Sequence, residues 1–226
     1  MDEGKTEHEI QRRDEVRLEL LQITPRAEAL IEEAGRTCYL SFDRAGMDSA
    51  ARFCRMLIRS GHESVFEHAQ ASFRVSGGSR AFTHQLVRHR LCSFSQQSQR
   101  YVDERGFAAV VPPSIEANAE AGRIFTEHIH DCERRYRELR ELGIPKEDAR
   151  FVLPNAARSE IVVSANLRQW RLVLALRGHP TAQWEIRRFA VEVYRLLVEH
   201  VPDVLADFRI NAAGDGLERV ELKGKR

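Results

Sequence analysis

The segment from Arg88 to Tyr101, RHRLCSFSQQSQRY, places three arginines, one histidine, three serines and three glutamines in fourteen positions. Guanidinium groups grip phosphate through paired hydrogen bonds. Serine hydroxyls and glutamine amides add neutral donors and acceptors that suit a pyrimidine edge or a pyrophosphate. Composition alone fits either a surface for a polar ligand or a solvated loop with surface arginines. Other potential chemistry is thinner. His128 and His130 lie two apart on a predicted helix and so face different ways, and His84 and His89 are no better spaced; no metal site is expected. The four cysteines, Cys38, Cys54, Cys92 and Cys132, lack the paired short spacing of zinc ribbons or redox motifs and read as reduced thiols, mostly in the core. No serine sits in the glycine-flanked elbow of a hydrolase, and the segment holds no acidic residue before Asp103 and hence no carboxylate pair.

The elements that must carry this segment can be read from periodicity and caps. Val16–Ile23 predicts a strand, and Thr24 followed by Pro25 predicts the start of a helix running to about Gly35. Asp48 and Ser49 are candidate caps for a second helix, with Phe53, Met56 and Leu57 at helical spacing and Gly61 closing it. Ala69, Ala71, Phe73 and Val75 alternate with polar residues, which predicts a half-buried strand ended by Gly77 and Gly78. Ser79 then caps a helix with Phe82, Leu86 and His89 on one stripe, delivering Gln85 and Arg88 about a turn apart near its end. Leu91 to Asp103 reads as irregular. Ser114 to Leu142 reads as a long, interruptible amphipathic helix with Ile124, Phe125, Ile129, Tyr136 and Leu139 inward, stopped by Gly143 and Pro145. Ser159–Ala165 predicts a strand, Asn166 caps a helix to Arg177, and Thr181 caps another to His200. Trp170 and Trp184 fall on these helices as core or subunit-contact residues. Interleaved strands and helices give an α/β (α+β) class, with a central sheet flanked by helices.

Whole-chain properties narrow the function further. With 226 residues, 42% hydrophobic and 31% charged, the chain can build one substantial core, and we expect a short tail at 1–15 and a single domain at 16–226. Lys and Arg number 35 against 34 Asp and Glu, a net charge of +1, so no long-range field favours polyanions and any anion site must come from local arginines. That balance, with little aromatic surface beyond Phe94 and Tyr101, counts against a nucleic-acid-binding module built on Arg88–Arg100. No apolar run approaches the roughly 20 residues of a membrane span. The charged N-terminus lacks the apolar stretch of a signal peptide, so a cytoplasmic location is expected.

Arg88, His89 and Arg90, followed by seven residues and Ser98, then Arg100 and Tyr101, resemble the signature of flavin-dependent thymidylate synthases. GHESVFEH (61–68), ARFVLP (149–154), NLRQWR (166–171) and LRGHPTAQWEI (176–186) resemble further segments of that family in the expected order, so the resemblance spans about residues 16–200.

The resemblance implies conversion of dUMP to dTMP, with 5,10-methylenetetrahydrofolate as one-carbon donor and NADPH-reduced FAD as hydride source, on a homotetramer without an enzymic cysteine nucleophile. It puts Ser64, Arg88, His89, Arg90, Gln96, Asn166, Leu167, Arg168 and Leu172 at FAD. It puts Gln85, Leu86, Val87, Arg88, Gln96, Gln97, Ser98, Gln99, Arg100, Arg150 and Arg177 at dUMP, with His62 near flavin and folate. Arg177 is the implied uracil-polarising residue; on physical grounds it also suits a helix C-terminus, where a cation meets the negative end of the dipole. Two positions depart from the pattern. Leu172 stands where many relatives carry asparagine or histidine, and Thr181 where some carry histidine. An FAD-dependent enzyme acting on another nucleotide is the rival within this fold, and the presence of both Arg150 and Arg177 favours dUMP.

Overall fold

The computed structural model describes residues 16–222, so the tail expected at 1–15 lies outside the described residues. The chain falls into two compact units, each assembled from separate stretches. Among the described residues, the first takes residues 16–17, Val75–Gln85 and Ser95–Ile161; the second takes Leu18–Arg74, Leu86–Phe94 and residues 162–222. Strands β1 (Arg17–Ile23), β2 (Gln70–Ser79), β3 (Ser93–Gln96) and β4 (Arg158–Asn166) form one sheet in the order β1-β2-β4-β3. Each strand contributes residues to both units. The predicted mixture of helices and sheet is borne out.

In the first unit the strand expected to stop at Gly77 continues through Gly78 to Ser79. Gly77 takes a φ of +80°, and its backbone is satisfied by side chains, with its N–H donating to the Glu160 carboxylate at 3.2 Å and its carbonyl accepting from Arg158 Nε at 3.2 Å. Ser79 caps helix α3 (Arg80–Leu86) as expected, its Oγ accepting the Phe82 N–H at 2.9 Å. The long amphipathic segment breaks into α4 (Pro113–Glu116) and α5 (Ala119–Glu141) because Asn118 starts the helix afresh, accepting the Ala121 N–H at 3.0 Å. Ile129 and Tyr136 are buried as predicted, but Ile124 is 55% exposed. A short helix α6 (Lys146–Ala149) and a 3₁₀ turn at Arg150–Val152 lead towards β4.

In the second unit, α1 (Ala27–Thr37) does not begin with the expected Thr24 cap. Thr24 pairs with the backbone of Gln70 instead, and Arg26 in the left-handed region precedes the helix. Asp48 also has positive φ and caps α2 (Ser49–Ser60) with no side-chain bond, whereas Gly61, φ +68°, closes it as predicted. A 3₁₀ helix covers Glu63–His68. Ala71 and Phe73 are fully buried on β2, as is Ala69 just before it, and Trp170 meets Phe73 edge-on at 5.0 Å while donating its indole N–H to the Ala71 carbonyl at 3.0 Å. Asn166 starts α7 (Leu167–Arg177) by accepting the Gln169 N–H at 2.8 Å, as predicted. Helix α8 (Trp184–Val198) is capped by Gln183 through the Glu185 and Ile186 N–H groups, not by Thr181, whose hydroxyl pairs with His179. The antiparallel hairpin of β5 (Phe208–Ile210) and β6 (Leu217–Arg219) was not expected. No helix among the described residues is long and apolar enough to cross a membrane.

Candidate active site

The polar segment 88–101 is shared between the units, and its irregular reading needs correction, because β3 runs through Ser93–Gln96. Gln96 ends β3 and Gln97 follows it, and their side chains take different partners. Gln96 Nε2 donates to Thr83 Oγ1 at 2.9 Å and to Ser159 Oγ at 3.2 Å. Both its N–H donors are thereby committed, and its carbonyl is the end it can offer a ligand. Gln97 Nε2 donates to the Glu104 carboxylate at 3.0 Å, and Gln97 Oε1 accepts the Glu160 N–H at 3.3 Å.

Beyond them the chain makes a tight turn, with Tyr101 and Val102 N–H groups both on the Ser98 carbonyl. Ser98 Oγ accepts the Arg100 N–H at 3.3 Å, which leaves its own O–H available to donate. Arg100 Nε donates to Glu147 Oε2 at 2.9 Å, and Arg150 Nε to the Glu147 carbonyl at 3.0 Å. Glu147 therefore brings together two arginines far apart in sequence. Also in this unit, a cleft of about 410 Å³ is lined by Gln97, Glu104, Glu160, Arg17 and Arg158 among others. Gln85 is half-buried on α3, and Gln99 is 9% exposed.

In the second unit Arg177, at the end of α7, donates from Nε to His89 Nε2 at 2.9 Å. An accepting Nε2 puts the neutral ring's proton on Nδ1. Burial, reinforced by the Arg177 charge, pushes the His89 pKa down to about 4, so the ring is uncharged at neutral pH. Arg88 and Arg90 on either side are exposed, as are Ser64 and His62. At the other end of α7, Asn166 spends its carbonyl on the cap and keeps its amide donors, and exposed Arg168 pairs with Glu67 at 2.5 Å. Arg168, Leu172 and Leu176 form one exposed stripe, whereas Leu167 and Leu86 are core residues at 1% and 0% exposure. Val87 is 38% exposed.

Three of the four cysteines are buried and none is paired. Burial raises the Cys92 pKa to about 11 against the lowering effect of a Gln169 hydrogen bond, and burial raises those of Cys54 and Cys132 as well. No group of three or more His, Cys, Asp and Glu residues among the described residues could hold a metal ion.

A family model described as thymidylate synthase complementing protein matches residues 19–203. A flavin-dependent thymidylate synthase of Geobacter sulfurreducens is 43% identical over 200 residues, covering 85% of this chain and 86% of its own. The chain belongs to the flavin-dependent thymidylate synthase family. Its fold is also that of a UMP/dUMP methylase from Streptomyces cacaoi solved with 5-Br dUMP, at TM-score 0.78 and 25% identity over 86% of this chain and 95% of that one. Thymidylate synthase X from Helicobacter pylori, solved with FAD and dUMP, gives TM-score 0.72 at 22% identity over 85% and 98%.

The family's expected site residues fall into two sets. Gln85, Gln96–Arg100 and Arg150 belong to the first unit; Ser64, Leu86–Arg90, Asn166–Arg168, Leu172 and Arg177 belong to the second. Motif reading did not find their supports, Thr83, Ser159, Glu104 and Glu147, because each acts through a contact that local spacing does not encode.

Proposed function

We propose that this enzyme converts dUMP to dTMP, taking the one-carbon unit from 5,10-methylenetetrahydrofolate and the hydride from FAD reduced by NADPH, with no cysteine adding to the uracil ring. The observation that carries the proposal is the Arg177–His89 hydrogen bond, which ties the candidate uracil-polarising arginine to the centre of the signature. A guanidinium placed by that bond can stabilise negative charge developing on a pyrimidine. Ser98, Arg100 and Arg150 form the phosphate-holding set, and Gln96 offers its carbonyl to a ring N–H.

The donor set of the second unit fits FAD. The N-terminus of α7, with its positive dipole end and Arg168, suits a pyrophosphate, joined by Arg88 and Arg90, while Ser64 and the Asn166 amide supply neutral donors. His62 stands two residues from Ser64, on the side assigned to flavin and folate. Bound there, FAD would supply the hydride, and the protein's part is to hold it and exclude competing chemistry. The family's homotetramer is proposed for this chain as well.

The buried, protonated Cys92 thiol supports a route without an enzymic nucleophile, since the thiolate is the reactive form. Purified protein should be yellow, bleach with NADPH, and form dTMP from dUMP and methylenetetrahydrofolate; Cys92→Ser should keep that activity within about tenfold. Failure to retain flavin in equilibrium dialysis against saturating FAD removes the cofactor reading. Loss of all turnover in a folded Cys92→Ser variant removes the nucleophile-free one.

A further inference from the structure

We infer that Gln97 is a positioning residue whose side chain, bonded to the buried Glu104 and to the Glu160 backbone, fixes the loop that presents Ser98 and Arg100. The inference rests on the proposed role of those two residues in holding dUMP.

Three bonds converge on Gln97. Its backbone N–H donates to the Glu160 carbonyl at 2.8 Å, its Oε1 accepts the Glu160 N–H at 3.3 Å, and its Nε2 reaches Glu104 Oε1 at 3.0 Å. The side chain thus docks on β4 and leaves one N–H beyond these bonds. Glu104 is 5% exposed, and its own N–H donates to the hydroxyl of Tyr136, a fully buried residue of α5, at 3.3 Å. The Gln97–Glu104 bond therefore closes the loop 97–104 across its base and anchors it to β4 and α5. Ser98 is the first residue inside that closure, and its turn carries Arg100.

The chemistry of Glu104 makes this bond consequential. A carboxylate this deeply buried is costly unless paired and hydrogen bonded. Burial raises its pKa, while the Gln97 bond and the charge of Arg80 counter that shift. Removing the Gln97 amide leaves the carboxylate without its side-chain donor and frees the loop base. The neighbouring Gln96 side chain is held separately, on Thr83 and Ser159, so loosening Gln97 affects the phosphate end ahead of the Gln96 end.

The experiment compares dUMP KM, kcat at saturating dUMP, and thermal melting for the parent, Gln97→Ala, Gln97→Glu, Glu104→Leu and the exchange Gln97→Glu/Glu104→Gln. Gln97→Ala should raise KM about tenfold with kcat within about threefold, the loss expected for one charge-assisted hydrogen bond. Glu104→Leu breaks the same bond from the other side and carries the test if Gln97→Ala does not fold. Gln97→Glu sets two carboxylates together and should be worse than Gln97→Ala. The exchange rebuilds the bond with partners reversed and should bring KM back to within about threefold of the parent.

A Gln97 that touched dUMP directly would not be rescued by the exchange, because a carboxylate would then meet the nucleotide; an exchange variant no better than Gln97→Glu overturns the inference. So does a KM within about twofold of the parent in Gln97→Ala. A parent protein that neither binds dUMP nor forms dTMP overturns the proposed function as well, which separates the two failures.

Discussion

Arg171 and Arg177 stand on the same helix in opposite circumstances. Arg171 is 2% exposed, with Nη1 on Asp207 and the Val204 carbonyl, Nη2 on Glu63 and Asp207, and the Phe66 and Phe208 rings 5.5 and 5.3 Å from its guanidinium carbon. Burial works against that charge, but the bonds to Asp207 and Glu63 outweigh it and hold the pKa above its usual value. Arg177 is half-buried and rests on a neutral histidine. A buried arginine ringed by carboxylates ties elements together. One that donates to an uncharged imidazole is oriented by a contact that does not itself cancel its charge.

That contrast predicts two different failures. Arg171→Ala should show the largest effect, a loss of about 3–5 kcal/mol in unfolding free energy, because Asp207 at 3% exposure is left buried with its main partner gone. Chemical denaturation measures it, and a change below about 1 kcal/mol would mean that Arg219, which also reaches Asp207, neutralises the site unaided. Arg177→Ala should fold and should lose about 3 kcal/mol in the rate of dTMP formation, by analogy with other groups that stabilise developing negative charge. NADPH-driven flavin bleaching should persist. Arg177→Lys should recover little, since an ammonium lacks the planar fork. If bleaching and methylation fall together, Arg177 belongs with Arg171 as a structural residue, and the contrast fails.

His89 also titrates in a specific direction. The folded His89 pKa, about 4, lies below the unfolded value near 6.5, so between those values the unfolded chain binds more protons. Stability from this group is complete above about pH 6.5 and declines as the pH falls towards 4, by at most roughly 3 kcal/mol. His89→Gln should flatten that part of the stability–pH curve. Arg177→Ala should raise the lower end of that window and shrink the loss, because the neighbouring charge is the smaller of the two causes that depress the folded pKa while the unfolded value stays the same. A parent curve with no slope across this window would show that the ring is charged in the fold.

The legible parts of the fold were those with local causes. Ser79 and Asn166 cap the helices that follow because their oxygens bond N–H groups three residues on, which spacing alone encodes. Thr24 and Thr181 look like the same signal, but Gln70 and His179 take their hydroxyls. β3 was hidden because its polar sequence forms a strand only against β4, which lies far along the chain. β2 passes Gly77 because side chains of Arg158 and Glu160 complete its hydrogen bonding. The candidate site divides the same way: Arg88, Ser98, Arg100 and Arg177 were proposed from motifs, whereas Glu104 and Glu147, which hold the loop residues around Ser98 and Arg100, were not signalled by any motif.

The smallest expected effect tests the exposed stripe of α7. Leu172 is 46% exposed between Arg168 and Leu176, at the position where many relatives place a polar residue able to touch flavin. Leu172→Asn costs the helix little, about 0.5 kcal/mol from propensity, since no core contact is lost at so open a position. If the exposed stripe of α7 faces the cofactor, the new amide adds one hydrogen bond, about 1 kcal/mol or roughly fivefold tighter FAD binding. Leu172→Ala separates that gain from the removal of leucine. Tighter binding for asparagine and none for alanine places a polar flavin contact at this position. Weaker binding for both, followed by quenching of flavin fluorescence on titration into apoprotein, would mean that Leu172 packs against the cofactor as an apolar surface. Affinity unchanged in both would put the outer face of α7 at residue 172 away from FAD, and would confine its contribution to Asn166 and Arg168.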